Sequence, residues 1–303
     1  MFQPVNLAID SSGRLFVTDF GDNTVKVFDN PSDLETPSIV LTGFNFNEKT
    51  FSFPDVVIKP KVTEEIEGEP VVTQPETLFV SDPFNHAVKV YSIGEDGLEL
   101  VATLGGFGSG DAQFSQPGGL ALNEDGTELH VVDTMNHRIS VWSAETPFAY
   151  IASYGGPGHG DDSGLYYPTD ILHAGAGVMY VADCGHNRVV SFKNDGTASI
   201  PYVVKKLDEY VGHSLSPSGV LTLTTNTFPV ISLVAHGTSF YLSDLYVSNI
   251  VEFDSTWAQD GTVFLSYGDG TEKVKFPKGM HVSDDTLYVA DTASSEVEAI
   301  SLV

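Results

Sequence analysis

A chain of 303 residues with 41 Asp and Glu against 14 Lys and Arg carries a formal charge of −27 at pH 7. So negative a surface repels phosphate backbones and anionic lipid, which argues against nucleic-acid partners and against contact with or insertion into a membrane. The single cysteine, Cys184, excludes an intrachain disulfide; no apolar run approaches the ~20 residues of a spanning helix, and the opening MFQPVNLAID lacks the basic and apolar segments of a signal peptide.

The first readable element is PVNLAID, followed by the turn SSGR and the phrase LFVTDFGDNTVKVF, which closes an apolar run on Asp19. Alternating apolar residues on either side of an Asp, Asn and Gly turn predict two strands joined tightly. The phrase returns as LFVSDPFNHAVKVY at Asp82, LHVVDTMNHRISVW at Asp133, MYVADCGHNRVVSF at Asp183, FYLSDLYVSNIVEF at Asp244 and LYVADTASSEVEAI at Asp291. A proline stands upstream of each copy: Pro4, Pro54, Pro117, Pro168, Pro229 and Pro277. The Pro-to-Asp distances are 15, 28, 16, 15, 15 and 14 residues, and each Asp precedes the next Pro by 35, 35, 35, 46 and 33. Two markers that hold register through six copies are an internal repeat.

Each copy reads as four short strands. In the third these are GGLALN, ELHVVD, ISVWS and AYIASYGG, separated by EDGT, TMNHR and a further turn. Only PYVVKKLDEYVG, 201–212, has a spacing that could suit a helix. Four-stranded units repeating every ~50 residues predict an all-β fold, the six-bladed β-propeller, as one domain. The blades are approximately 1–50, 51–113, 114–164, 165–225, 226–273 and 274–303.

The order Pro-x-Gly-apolar, then apolar-Val-Asp-x-x-Asn-His-Arg, then a Gly-rich loop such as LGGFGSGDAQFSQP resembles the NHL repeat. Pro117 to Trp142 and the fourth copy match best. The fifth departs, with Val247 and Ser248 where the third has Asn136 and His137, and so does the sixth, with Ser294 and Ser295. The resemblance implies a propeller in which the strand after Pro is innermost and the Asp ends the second strand. Such propellers are usually binding platforms and occasionally enzymes.

A residue present in every copy has a task needed six times. Asp19, Asp82, Asp133, Asp183, Asp244 and Asp291 are therefore expected to accept backbone N–H bonds at strand ends, as Asx-turns do. Arg138 and Arg188 could pair with a carboxylate between blades. The turns after the Asp series form one face of the disc, and Asn85, His86, Asn136, His137, His186 and Asn187, with Phe20, Phe84 and Tyr246, make it the expected protein-binding face. Cys184 is expected to be incidental. The Gly-rich loops lack the lysine and following helix of a phosphate cradle.

The residues after each proline should ring the axis: Asn6, Asp55, Gly118, Asp170, Val230 and Lys278, or their immediate neighbours. Asn6, Asp55 and Asp170 offer oxygen ligands for calcium. His173 and His281 lie on inner strands of different blades and suit zinc. The fourth copy also resembles amidating lyases of this fold, which bind zinc at the channel through histidines of different blades; here no histidine trio shares one inner-strand register. No cofactor is required by the repeat itself.

Two stretches exceed the repeat. Blade 2 carries an acidic, proline-rich insertion with Glu64, Glu65, Glu67 and Glu69, expected to protrude as a loop on the face opposite the turns. Extra residues also separate blades 4 and 5. The last blade has only three strands, and its open edge invites a partner. The sequence therefore points to a non-enzymatic protein- or ligand-binding scaffold, one domain or subunit of a larger assembly, with an extracellular or cell-surface setting somewhat favoured over the cytoplasm. The rival is a metal-dependent lyase or hydrolase in the central channel.

Overall fold

The computed structural model describes residues 2–46, 52–66, 69–94, 97–158, 164–193, 202–206, 213–215, 221–223, 230–244, 248–257, 261–268 and 273–302. Six antiparallel sheets form the blades. Blade 3 gives the pattern, with Pro117–Leu122 innermost, then Glu128–Asp133, Arg138–Ser143 and, outermost, Tyr150–Gly155. Pro117 pairs with Asp133, so the inner strand starts, and the second strand ends, on the same face. The equivalent pairs are Pro4–Asp19, Pro168–Asp183, Val230–Asp244 and Pro277–Asp291.

Each blade is sandwiched between two others, so its second strand is buried on both sides; Leu15–Asp19 and Glu76–Asp82 have no exposed residue. Strand alternation sends successive side chains to opposite neighbours. Phe16 joins a cluster with Val56, Leu78 and Val80 of blade 2, while Leu15 and Val17 join Ala290 of blade 6. Among the described residues there is one such apolar cluster at each junction, six in all, and the last closes the ring. A hydrogen bond from Thr292 Oγ1 to Pro4 O, 2.6 Å, ties the same closure.

The register slips at the start of the inner strand in blades 1, 3, 4, 5 and 6. Proline suits that position because it has no N–H to give to the ladder, and the bulge re-aims the side chains that follow. Glycine is required at one of these bulges. A Cβ on Gly119 would lie 2.7 Å from Asp170 Cα and 2.9 Å from Thr169 O, both backbone atoms that cannot step aside.

Three expectations change. The blade 2 insertion is a hairpin, Val62–Ile66 paired with Glu69–Gln74, rather than an irregular loop; its Thr and Val pairs satisfy the backbone although its side chains are exposed. Glu67 lies outside the described residues. Instead of a helix, Tyr202–Lys206 is the outermost strand of blade 4, paired antiparallel with Arg188–Ser191. Blade 5 gains a fifth, parallel strand, Lys273–Val274. Among the described residues blade 6 shows the strands Pro277–Ser283, Thr286–Asp291 and Glu296–Ser301.

Candidate functional site: the central channel and the turn face

All six inner strands line a central cavity of about 300 Å³. Toward the turn face it meets Asn6, Asp55, Asp170 and Ser232; deeper lie aliphatic walls from Leu7, Val57, Leu120, Ile171, Leu233 and Met280, with His173 and His281 beyond. Of the ring residues expected from sequence, Asn6, Asp55 and Asp170 are there, whereas Gly118 and Lys278 give way to residues further along their strands. The bulges move the register: blade 5 presents Ser232, and a Cβ on Gly118 would point at Ser52 Oγ. Lys278 instead lays its ammonium over the Phe20 and Phe53 rings, 4.5 and 4.9 Å from their centroids.

The two channel carboxylates clasp adjacent blades. Asp55 Oδ1 accepts from Val56 N at 2.7 Å and Oδ2 from Leu120 N of blade 3 at 2.6 Å. Asp170 repeats this with Ile171 N and with Leu233 N of blade 5, both at 2.8 Å. Ser232 Oγ takes Met280 N of blade 6 at 3.3 Å, and Asn6 Oδ1 takes Leu7 N at 2.9 Å. Burial pushes the Asp170 carboxyl up to about 7 against these N–H groups. Burial, then the Asp170 charge, pushes Asp55 well above the carboxylate range. At neutral pH the pair thus holds less than its full negative charge.

The channel histidines are neutral. Burial, then His130, holds His173 down to about 4, and burial holds His281 at about 4. Both His173 nitrogens lack a hydrogen-bond partner, while the ring sits edge-on to His130, 5.1 Å between centroids. His130 in turn contacts Met179 Sδ and Glu128. Neutral imidazoles have the right chemistry for zinc, but among the described residues no three His, Cys, Asp or Glu side chains converge. Asn6, Asp55 and Asp170 each spend an oxygen on a backbone N–H group.

On the turn face the recurring Asp is a corner brace. Asp133, fully buried, accepts from Ser115 N at 2.7 Å, Asn136 Nδ2 at 2.7 Å and Arg138 Nε at 2.8 Å. Asp183 accepts from Tyr166 N at 2.7 Å and Arg188 Nε at 2.7 Å, and contacts His186 Nδ1 at 2.9 Å. Asp19 takes Gln3 N and Gly21 N; Asp82 takes Asn45 N and Asn85 Nδ2; Asp291 takes Lys275 N. Each carboxylate thus holds the chain entering the blade. The arginines pair with the Asp of their own blade. In blades 1 and 2 the cation is Lys26 or Lys89, seven residues after the Asp.

The turn histidines have a second structural task. His86 and His137 sit at φ +54° and +57°, in the left-handed region, as do Asn23, Asn187, Ser248 and Ser295 at the same turn position. From there His86 Nδ1 accepts Gln116 N at 3.1 Å and His137 Nδ1 accepts Tyr167 N at 3.0 Å. Ser248 Oγ accepts Phe276 N at 3.2 Å. Each donor directly precedes the proline of the next blade, so these side chains link consecutive blades.

What stays open on this face is aromatic. Phe84 and Phe107 are 46% and 73% exposed, and Phe107 packs on the His86 ring at 4.7 Å. His137 stacks on Tyr166 at 5.2 Å and meets Tyr167 edge-on at 4.7 Å, and Tyr166 continues to His186 at 5.5 Å. Phe107, Tyr166 and Tyr167 were not among the expected site residues; the lone Phe in GGFGSGD and the doublet before Pro168 were the available signals. Phe20 is buried under Lys278 and is not part of the open surface. Tyr246 lies outside the described residues. Burial first holds the Cys184 thiol at about 11, far from a reactive thiolate at neutral pH.

Fold and site together define a β-propeller whose repeated polar groups maintain the ring while its turn face and channel remain open. The chain is a six-bladed β-propeller, and its sequence is similar to NHL-repeat proteins. It is 30% identical over 161 residues to NHL repeat-containing protein 2 of Bos taurus, a match covering 48% of this chain and 21% of that protein. With the Gallus gallus protein of the same name it shares 36% over 78 residues, covering 23% and 10%. These matches span about a fifth or less of the curated relatives' length. No sequence-family model matches the chain. Among solved structures it resembles a catalytically inactive virginiamycin B lyase from Staphylococcus aureus with quinupristin, at TM-score 0.58 and 13% identity over 100% of this chain and 96% of that one. A Bacteroides thetaiotaomicron protein of unknown function gives TM-score 0.64 and 14% identity over 99% and 70%. At these identities the likeness is one of fold.

Proposed function

We propose that the protein is a non-enzymatic scaffold that binds a protein partner through the turn face of blades 2 to 4, as one domain or subunit of a larger assembly. The observation that carries this is the exposed Phe84 and Phe107 flanking His86, next to the tyrosines of the blade 3–4 junction. Large aromatic side chains left in water on a rigid frame are the usual anchors of protein interfaces. Asp55, Asp170 and Ser232 in the channel support the same reading, since each accepts an N–H of the next blade. A photo-crosslinking residue at position 107 should capture one protein at fixed stoichiometry, and one at position 72 on the opposite hairpin should not. Replacing Phe84 and Phe107 by Ala should weaken that protein's binding at least tenfold without changing thermal stability. Capture from both positions, or unchanged affinity, would overturn the proposal.

A second reading, a metal-dependent lyase or hydrolase with its site in the channel, draws on His173, whose two unpartnered nitrogens lie in the cavity wall. One zinc or calcium per chain in the purified protein, lost in His173→Ala, would favour it.

A further inference from the structure

One junction of the ring breaks an apolar pattern that the others share. Inner and second strands pair Ile9 with Leu15 in blade 1, Ile58 with Leu78 in blade 2 and Leu122 with Leu129 in blade 3. Blades 5 and 6 pair Ala235 with Phe240 and Val282 with Leu287. At the same place blade 4 sets His173 opposite Met179. The residue three positions before the recurring Asp is Phe16, Phe79, Tyr180, Tyr241 and Tyr288 in five blades, and His130 in blade 3. These three exceptions meet. His173 and Met179 stand directly opposite in an antiparallel pair, so they share a face of blade 4. His130 reaches that face from blade 3, with Nδ1 against Met179 Sδ and its ring centroid 5.1 Å from that of His173.

Left to themselves, the three groups satisfy one another poorly. His130 and Met179 are 0% and 1% exposed, and Glu128 Oε2 lies 3.2 Å from His130 Nε2. Burial, the largest influence, holds the His130 imidazole below its ordinary range, so at pH 7 it is neutral with a single N–H. Placed on Nε2, that proton is donated to Glu128 and the Nδ1 lone pair faces a thioether, which has no proton to give. Placed on Nδ1, it meets only a weak acceptor and turns the Nε2 lone pair on a carboxylate. Among the described residues neither nitrogen of His173 has a hydrogen-bond partner. A cation between Nδ1 and Sδ removes the conflict. The bond from Nε2–H to Glu128 then fixes the tautomer and orientation of the ligating ring, as a carboxylate commonly does for metal-bound imidazole.

We propose that His130, His173 and Met179 bind one Cu(I) ion between blades 3 and 4. A thioether is a soft ligand that suits Cu(I), whereas zinc sites are built from Cys, His and carboxylates, and calcium takes oxygen. A metal–nitrogen bond of about 2 Å puts the ion roughly 3 Å from each ring centroid. Two rings 5.1 Å apart can therefore share it. Nitrogen and oxygen ligands alone form no group of three among the described residues; here the third ligand is sulfur. The site shares His173 with the metal-dependent reading above, but His130 and Met179 are enclosed between the blades rather than exposed to the channel. It is independent of the turn face.

The test is anaerobic titration with Cu(I) against a coloured Cu(I) chelator, and with Ag(I) as a redox-inert substitute, in a Cys184→Ser background so that the lone thiol does not compete. One ion per chain should bind, shift the Met179 methyl resonance and raise the melting temperature. Met179→Leu, close in volume, should weaken binding roughly tenfold or more while the metal-free melting temperature stays nearly unchanged. His173→Gln should do the same, and Glu128→Gln should weaken binding by about tenfold. His281→Ala, or Phe84→Ala with Phe107→Ala, should change nothing here. No binding in the Cys184→Ser protein, an unmoved Met179 methyl resonance, or full affinity in Met179→Leu would overturn the proposal. So would zinc bound as tightly as Cu(I), lost in His173→Gln and kept in Met179→Leu, which would assign the ion to the channel instead.

Discussion

Replacing Asp133 by Ala tests the corner brace where its contacts are best defined. The carboxylate is fully buried and accepts from Ser115 N, Asn136 Nδ2 and Arg138 Nε. Asn136 keeps a second acceptor in Gly108 O, and Arg138 keeps the carbonyls of Ser109, Gly110 and Gln113. The uncompensated losses are therefore the Ser115 N–H, at about 1–3 kcal/mol for an orphaned donor, and one charge-assisted bond to Arg138. Burial, the largest influence, holds the Asp133 carboxyl above the usual range, so removing it also relieves a desolvation cost. The net expectation is a loss of about 3 kcal/mol, toward the lower end of what breaking a buried pair costs. Trp142, 4% exposed in the cluster between blades 2 and 3, reports unfolding by fluorescence. The urea midpoint should fall by about 1 M or more. A loss under about 1 kcal/mol would refute the structural role of the repeated Asp.

The channel carboxylates make stability depend on pH in an unusual direction. Their folded pKa values lie above the unfolded ones, so between about pH 4 and 7 the folded state binds more protons, and stability falls as pH rises through that range. For Asp170 the distance from 3.8 to about 7, at about 1.4 kcal/mol per unit, sets an order of about 4 kcal/mol. The difference in unfolding free energy between the wild type and Asp170→Asn should carry this slope; a flat difference from pH 4 to 8 would count against it. Gly119→Ala should destabilise by several kcal/mol or prevent folding, since its methyl would meet the backbone of residues 169 and 170. Wild-type stability in that variant, measured by urea unfolding, would show that the inner strands are not packed this closely.

The ring was legible in the sequence because Pro and Asp perform backbone tasks that recur in every blade, and a recurring task leaves a recurring letter. The registers of Gly118 and Lys278 were not legible, because a bulge shifts a side chain without changing a residue type. Lys26 and Lys89 escaped notice because they stand two residues past the arginine position; in a strand, that step keeps a side chain on the same face, which a period-two comparison of the copies would have found. The roles of His86 and His137 depend on the amide of another blade some thirty residues away, so their own turns carry no sign of it. Asp55 and Asp170 were placed correctly at the axis, yet their service to the backbone of the next blade rests on close strand packing that no local pattern encodes.

Amide hydrogen exchange at Ser115, Gln116 and Leu120 tests the central claim most directly, because these N–H groups are held by Asp133, His86 and Asp55 respectively. Asp133→Ala, His86→Ala and Asp55→Ala should each accelerate exchange chiefly at the amide that has lost its acceptor, by tenfold or more. Unchanged exchange at all three, with loss of a bound metal or ligand instead, would mean that these side chains serve a site rather than the ring.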